Sequence, residues 1–239
     1  MRLDKYLSDM NFGSRKEVKS FIKKGLVSVN GQIIKVDKFQ VKEDDEVNFK
    51  DEKISYQKFF YYLLNKPKGV VSATKDNRDR TVLDLLVEND YRKDLFPVGR
   101  LDKDTEGFLL LTNDGDLSHR LLSPKSHVAK DYQARVRGIM TEDDIEAFSL
   151  GLEIDGGEIC LPAKLIIESV DLARNESTIR ITLYEGKFHQ VKRMVKAVGK
   201  EVIYLKRLSM GGLNLDEKLE LGTYRPLSMD EVKKLEKGE

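Results

Sequence analysis

The segment at residues 99–115 most strongly constrains what this chain can fold into, because it places Asp102 in a short polar loop directly before an apolar run at 108–111. This pattern predicts a loop between two core strands, or between a strand and a helix, with glycines at its ends. Chemistry is usually placed on loops that a rigid scaffold positions. Asp102 is therefore the first candidate for a functional side chain. The structural alternative is a local pairing with Arg100 or Lys103, or the capping of a turn.

The length and composition limit the classes of protein to be considered. With 239 residues, the chain can form one large domain or two smaller ones, and we expect two. No apolar run approaches the ~20 residues that a membrane span needs. The single cysteine excludes an internal disulfide framework, and the three dispersed histidines form no zinc pattern. The first residues lack the apolar segment of a secretory signal, so we expect a cytoplasmic protein that uses neither a metal nor another cofactor.

The formal net charge of +1 hides two strongly cationic segments. Residues 1–35 contain eight lysines and arginines against three acids, and residues 185–207 contain seven against two, so each segment has a net charge of +5. A charged stripe is usually a solvated face, but a cluster of this size also suits a phosphate backbone. Nucleic acid is therefore a candidate partner despite the nearly neutral total.

The first fifty residues have the pattern of two helices and a hairpin. Apolar residues at i, i+4 and i+7 within 3–10 predict a first short helix. Ser14 and Glu17 have the spacing of a capping box, which predicts that a second helix begins there. Two β-prone runs within 27–34 are separated by Asn30 and Gly31, which accept a positive φ at low cost and so predict a tight hairpin turn.

The rest of the chain is predicted to be an α+β domain with an antiparallel-rich sheet. The predicted strands are at 59–64, 70–72, 130–136, 164–170 and 178–184, the predicted helices at 81–86 and 142–150, and residues 229–239 form a charged tail helix or a frayed end. The polar stretch at 50–58 is predicted to link this domain to the first one. The domains are then residues 1–57 and 58–235.

The residues around Asp102 strongly resemble the signature of the pseudouridine synthases that modify ribosomal RNA. Residues 99–102 read Gly-Arg-Leu-Asp, and the run that follows departs from the signature at one apolar position, Phe108. The resemblance covers almost the whole chain and implies that Asp102 is the nucleophile that converts uridine to pseudouridine without an external group. It leaves open whether Asp102 attacks the uracil ring or the anomeric carbon of the ribose. Arg100 is placed to fill the space left by an extruded uridine, or to bind the adjacent phosphate.

Two further segments resemble motifs of the same family, in the expected order: residues 130–132 (Lys-Asp-Tyr) and residues 185–194. The resemblance implies that Tyr132 stacks on the target uracil, that Val191 lies against the base and that Lys192 lies beside the catalytic carboxylate. An ammonium at that place favours the ionised nucleophile. Many members have arginine where this chain has Lys192. Without the flanking motif, Tyr132 alone would be read as a half-buried strand tyrosine.

The predicted helix, helix and hairpin resemble a small RNA-binding module first described in a ribosomal protein of the small subunit. That resemblance implies that cations of the first helix start and of the second helix contact RNA. The residues are Arg2, Lys5, Arg15, Lys16, Lys19 and Lys23. His189 is expected to be a surface or RNA-contacting side chain.

Residues 118–132 resemble the Rsu-type synthases, which act on the small subunit, more than the large-subunit branches. We therefore expect a monomer that acts on 16S ribosomal RNA or on a small-subunit assembly intermediate. One alternative is a large-subunit enzyme with the same chemistry, and another is a catalytically silent RNA-binding assembly factor. A third is a glycosidase that uses Asp102 with Asp104 or Glu106 as its acid pair.

Overall fold

The structure is a computed structural model that describes residues 1–236. The chain divides into two compact units, Met1–Phe59 and a larger unit that begins at Phe60. Within the described residues, no helix has the length and apolar character that crossing a bilayer requires.

The first unit packs two helices on a four-stranded antiparallel sheet. The helices are α1 (Leu3–Asp9) and α2 (Arg15–Lys23), and the strands are β1 (Val27–Val29), β2 (Gln32–Ile33), β3 (Val47–Phe49) and β4 (Glu52–Ile54), in the order β2-β1-β3-β4. Leu3, Leu7, Val18 and Ile22 of the helices are fully buried with Val47 of the sheet. The apolar spacing along both helices is thus the spacing that faces the core.

The local predictions for this unit are confirmed at the start of α2 and at the hairpin. The Glu17 carboxylate accepts a hydrogen bond from the Ser14 backbone N–H at 2.8 Å, and the Ser14 hydroxyl accepts one from the Glu17 N–H at 3.4 Å. Asn30 and Gly31 have φ values of 50° and 78°, as a two-residue hairpin turn requires. The prediction that residues 50–58 only form a linker is wrong. β4 lies within them as an exposed edge strand whose polar residues face water, while Ile54 is buried.

The second unit is built on one large sheet, in which the order of the main strands is β11-β12-β8-β13-β7-β5-β15. Its strands are β5 (Tyr61–Lys66), β6 (Phe96–Pro97), β7 (Glu106–Thr112), β8 (Lys130–Arg137), β11 (Lys164–Asp171), β12 (Glu176–Leu183), β13 (Glu201–Met210), β14 (Leu213–Asn214) and β15 (Tyr224–Pro226). β6 pairs with β7, and β14 pairs with β13. A separate small hairpin consists of β9 (Glu153–Ile154) and β10 (Glu158–Ile159). β7 and β13 run parallel to each other, whereas the pairs on either side of them are antiparallel.

Four helices accompany this sheet: α3 (Gly115–Leu122), α4 (Glu142–Leu150), α5 (Gln190–Ala197) and α6 (Met229–Glu236). The main apolar cluster joins α4 and α5 to one face of β8, β12 and β13, and it includes Phe148, Met194 and Val195. The loops that lead into β7 and α5 therefore project from rigidly packed elements.

Most predicted elements of the second unit are present, including the antiparallel pair 164–170 with 178–184 and the helix at 142–150. Two predictions need correction. Residues 70–72 form no strand and make one isolated bridge between Val71 and Thr81, and residues 82–85 form a 3₁₀ turn whose N-cap is Thr81. The predicted tail is helical as far as Glu236, and residues 237–239 lie outside the described part of the chain.

Candidate active site

Asp102 lies in the tight loop that enters β7 at the centre of the sheet. The loop turns on a hydrogen bond from the Thr105 N–H to the Asp102 carbonyl at 3.1 Å. At Gly107 the φ is 101°, and a Cβ there would lie 2.2 Å from the carbonyl oxygen of Arg207 on β13. Only glycine permits this approach of β7 to β13. The predicted loop is therefore confirmed, and it connects β6 and β7.

Lys66, at the end of β5, holds the Asp102 loop from inside the protein. Its side chain is fully buried, and Nζ donates to the carbonyl oxygens of Thr105 at 2.8 Å and Asp102 at 3.0 Å. The carbonyls of Pro67 and Lys103 lie at 3.1 and 3.4 Å. Burial lowers the pKa of Lys66 to about 8. No pattern in the sequence indicated this function of Lys66.

Ser72 adds a second anchor to the same loop. Its hydroxyl donates to the Leu101 carbonyl at 2.9 Å and accepts from the Leu101 N–H at 3.1 Å. The Gly69 N–H donates to the Lys103 carbonyl at 2.7 Å. The backbone on both sides of Asp102 is therefore fixed by side chains and amides that follow β5.

Lys192 of α5 brings two carboxylates of the loop together. Its Nζ lies 2.9 Å from Asp102 Oδ2 and 2.6 Å from Asp104 Oδ1. Burial alone lowers the pKa of Lys192, but hydrogen bonds to Asp104 and Asp102 outweigh burial and raise it above its ordinary value. Asp102 stays 22% exposed at its side chain, so its carboxylate is accessible from solvent. The predicted contact between Lys192 and Asp102 is present, and the participation of Asp104 is an addition to it.

His189 approaches the same carboxylate from the start of α5. Its Nε2 lies 3.5 Å from Asp102 Oδ1, and its backbone has the left-handed φ of 49°. Gln190 fixes the helix start with its side-chain amide. Nε2 donates to the Glu185 carboxylate at 2.7 Å, and Oε1 accepts from the Lys187 backbone N–H at 2.9 Å. His189 is half-buried, with 41% of its side chain exposed, and it is also part of the site.

Tyr132 and Val191 belong to one apolar cluster beside this loop. Val191 is 4% exposed, and the partly buried Tyr132 packs against the cluster that contains it. In the sheet register Tyr132 is opposite Arg207, and Arg207 is opposite Gly107 where the Asp102 loop joins β7. Tyr132 therefore lies on the second strand from β7 in the sheet, and Val191 lies on α5, the helix that carries Lys192. Arg100 is exposed two residues before Asp102.

Two buried cations of the second unit were not singled out from the sequence. Arg207 is 2% exposed, and its Nε donates to the Phe108 carbonyl at 2.8 Å, while its Nη2 has no partner among the described residues. Lys130 is 5% exposed and donates to the Val128 carbonyl at 3.0 Å. Burial, reinforced by the nearby Arg207, lowers the pKa of Lys130 to about 8.

The predicted RNA contacts of the first unit divide into two groups. Arg2 makes a two-bond contact with Asp4, at 3.0 and 2.7 Å, and Lys19 lies 3.4 Å from Asp37. These two side chains are already engaged within their own unit. The others are exposed: Lys5, Arg15, Lys16 and Lys23.

The glycosidase alternative requires a carboxylic acid that keeps its proton near neutral pH. Burial raises the pKa of Asp104, but its hydrogen bond and charge attraction with Lys192, together with smaller contributions from a backbone N–H and from His189, outweigh burial and lower that pKa below its ordinary value. Asp104 is thus held as the charged partner of Lys192 and is unsuited to be the proton donor of an acid pair. The geometry therefore disfavours Asp104 as the acid of such a pair. Among the described residues, no three His, Cys, Asp or Glu side chains group as a metal site would need.

Comparison with known proteins assigns a family to each unit. Residues 60–197 match the RNA pseudouridylate synthase family, and residues 1–47 match the S4 domain. The chain is 50% identical to an uncharacterised RNA pseudouridine synthase of Bacillus subtilis, over 97% of each chain. It is 41% identical to the ribosomal small subunit pseudouridine synthase A of Vibrio cholerae, over 97% of this chain and 98% of that relative.

A relative with a different name is almost as similar. The chain is 37% identical to the ribosomal large subunit pseudouridine synthase B of Bacillus subtilis, over 98% of this chain and 95% of that relative. Among solved structures, a pseudouridylate synthase with 36% identity matches with a TM-score of 0.68, over 98% of this chain and 99% of that chain.

Proposed function

The chain belongs to the RNA pseudouridylate synthase family, whose members are isomerases that act on RNA, and from this premise we propose that it isomerises one uridine of 16S ribosomal RNA with Asp102 as the nucleophile. The observation that carries the proposal is the 2.9 Å contact between Lys192 Nζ and Asp102 Oδ2 in a loop that Lys66 anchors. A partly exposed carboxylate held in a fixed orientation is what a nucleophile requires.

The reaction rearranges bonds within one nucleotide. The bond between N1 of uracil and the ribose anomeric carbon breaks, the base turns, and C5 bonds to the same carbon. The hydrogen on C5 leaves as a proton and N1 gains one, so no oxidant or external group is consumed. Asp102 initiates the exchange by attack on the ring or on the anomeric carbon. The bond that it forms breaks again, by elimination from the ring or by displacement when C5 bonds to the anomeric carbon, so the carboxylate is regenerated.

The neighbouring residues have separate roles in this scheme. Lys192 orients the Asp102 carboxylate, and Asp104 fixes Lys192 from its other side. Tyr132 stacks on the uracil after it leaves the helix, and Val191 contacts the base edge. Arg100 fills the vacated space or binds the adjacent phosphate. Because Asp102, Lys192 and Tyr132 all come from one unit of one chain, a monomer is sufficient for activity.

The first unit supplies affinity for the RNA backbone. Exposed cations on α2, together with Lys5, contact phosphates without reading the sequence. Arg2 and Lys19 contribute when phosphate replaces their present carboxylate partners. The S4 match supports this role.

The choice of 16S RNA in a small-subunit assembly intermediate, in the cytoplasm, depends on residues 118–132 and on the relative from Vibrio cholerae. The large-subunit relative at 37% identity is the reason that 23S RNA is the second candidate. Mapping pseudouridines in both RNAs of a strain that lacks the gene distinguishes the two substrates.

The decisive experiment measures tritium release from ribosomal RNA that is labelled at uridine C5. Asp102→Asn keeps the shape of the side chain and removes its charge, and the exposed Asp116→Asn is a matched control. We expect release by wild type and by the control, and a loss of at least about 10³-fold in Asp102→Asn. Activity retained in Asp102→Asn would assign the nucleophile elsewhere. No release by wild type from any ribosomal RNA would favour the silent assembly factor.

A further inference from the structure

Phe188 is a large aromatic side chain on the rim of the candidate active site, and it is 71% exposed. One face of its ring stacks on His189, with ring centroids 3.7 Å apart and an interplanar angle of 22°. His189 in turn lies 3.5 Å from Asp102. The pair therefore forms a short aromatic stack that begins at the proposed nucleophile and ends at solvent.

Arg193 fixes this stack to the rest of the unit. Its Nη1 donates to the Phe188 carbonyl at 3.2 Å and lies 2.6 Å from the Glu158 carboxylate. Its Nε bonds the Asp155 carboxylate. The Arg193 side chain is 16% exposed, so it acts mainly as a tie between the β9–β10 turn, α5 and the Phe188 backbone. A platform that is already ordered loses little conformational entropy when a ligand binds.

An open cleft of about 620 Å³ lies along this stack. The stack and the start of α5 form one wall, and the β9–β10 turn forms the other. Two acids, Asp155 and Glu158, line that wall, and Arg193 contacts both and offsets one of their charges. The exposed Lys196, one helical turn after Lys192, adds a second cation to the cleft. The cleft thus combines a flat apolar surface with a cation, the pair of features that binds single-stranded nucleic acid.

We propose that Phe188 and His189 are a stacking platform for an unpaired nucleobase that neighbours the target uridine, with Lys196 at its phosphate. This inference rests on the proposed function and deepens it, because it assigns a second base subsite besides the one at Tyr132. The stack adjoins Asp102 but opens to solvent, so it suits a neighbour of the reacting base. Stacking needs a splayed base, which selects loops and unfolded segments of RNA over continuous helices.

Kinetics of Phe188 variants test the platform on the RNA that wild type modifies. We expect Phe188→Ala to raise KM by about 5- to 150-fold, the range for loss of one stacked base, and to change kcat by less than about twofold. Phe188→Tyr keeps the ring and restores KM. Leu172→Ala, which removes a side chain that is 78% exposed at the β11–β12 turn, is the control. An unchanged KM in Phe188→Ala overturns the proposal.

A binding measurement separates this inference from the proposed activity. A single-stranded oligouridine that carries one 2-aminopurine loses fluorescence when the reporter base stacks on an aromatic ring. We expect quenching by wild type and by Asp102→Asn, and at least a fivefold weaker effect with Phe188→Ala. Equal quenching by wild type and Phe188→Ala overturns the platform even if tritium is released. Quenching that depends on Phe188, without tritium release by wild type, overturns the proposed activity alone.

Discussion

The cations of the first unit lie on an open helix face, whereas the important cations of the second unit are enclosed by oxygen atoms. Arg15, Lys16 and Lys23 extend from α2 into solvent. Lys66 is surrounded by carbonyl oxygens of the Asp102 loop, and Lys192 bridges two carboxylates. Salt screens the exposed cations of the first unit, and their effect depends little on their exact position. The effect of the enclosed cations of the second unit changes when they shift by a few tenths of an ångström.

Under the proposed function, this difference separates affinity for RNA from chemistry within one chain. Exposed cations attract any phosphate backbone, so their contribution is additive and depends on ionic strength. Enclosed cations set the position of one loop, so loss of a single one is costly. Four variants test this division between exposed and enclosed cations, beginning with the largest expected effect.

Lys66→Met removes the ammonium from the Asp102 loop. The carbonyls of Thr105 and Asp102 then lose their donor, so we expect the free energy of unfolding of the second unit to fall by about 3–5 kcal/mol. Displacement of the loop should lower kcat by about 10²-fold or more. Urea denaturation and tritium release measure the two effects. The control is Lys68→Met, an exposed lysine of the same turn, and equal behaviour of the two variants would contradict the anchoring role.

Lys192→Met leaves Asp102 and Asp104 without their shared cation. We expect kcat to fall by about 10²–10³-fold, the usual effect of removing one group that stabilises charge in a site. The salt dependence of RNA binding should not change, because Lys192 is engaged within the protein. Filter binding from low to high salt checks the second point, with the exposed Lys164→Met as control. A smaller salt dependence of RNA binding together with a normal kcat would mean that Lys192 contacts RNA phosphate and does not support Asp102.

Combined substitution of Arg15, Lys16 and Lys23 by glutamine probes the open face of α2. We expect the slope of log affinity against log salt to decrease by about 2–3, with kcat at saturating RNA unchanged. The control replaces three exposed lysines elsewhere in the same unit, Lys38, Lys42 and Lys53. Equal loss from both triples would mean that the charge of the whole unit matters and that α2 is not the binding face.

Lys130→Met gives the smallest effect and the opposite sign to Lys66→Met. Burial lowers the pKa of Lys130 from 10.5 to about 8, and the ammonium donates to the Val128 carbonyl near Arg207. The cost of burying this charge is complete below pH 8 and disappears as pH rises to 10.5, where the unfolded chain also loses the proton. We expect Lys130→Met to stabilise the second unit by about 1–3 kcal/mol at pH 7 and not at pH 10.5.

Denaturant titrations at the two pH values measure this difference, with the exposed Lys125→Met as control. A destabilised Lys130→Met at pH 7 would mean that its ammonium has a partner as important as those of Lys66. Comparison of Lys66→Met with Lys130→Met shows whether burial or hydrogen bonding of the ammonium determines what a buried lysine contributes to the free energy of unfolding.

Sequence alone predicted the parts of this molecule that depend on local pattern. The capping box at Ser14 and the helix at 142–150 follow from spacing, and both are present. The proximity of Lys192 to Asp102 was predicted by motif resemblance, since no local rule joins residues so far apart. The edge strand β4 was missed because its exposed polar residues resemble those of a linker.

The functions of Lys66 and His189 could not be read from the sequence for a different reason. Lys66 is a polar residue at the end of a strand, and only the pairing of β5 with β7 brings its side chain to the Asp102 loop. His189 reaches Asp102 because its backbone adopts the left-handed conformation just before α5. Both functions depend on contacts between different helices, strands and loops, and the residue pattern within one element does not predict such contacts.

The parallel pairing of β7 with β13 affects the order in which the chain can fold during synthesis. Gly107 and Arg207 lie opposite each other in the register but 100 residues apart in the chain. During synthesis the loop that holds Asp102 leaves the ribosome long before the strand that supports it, and such distant pairing is a slow step of folding. The Asp102 carboxylate is thus set in place only when the chain has been made beyond β13. Under the proposed function, a product truncated before β13 would keep the proposed RNA contacts of the first unit and would lack activity.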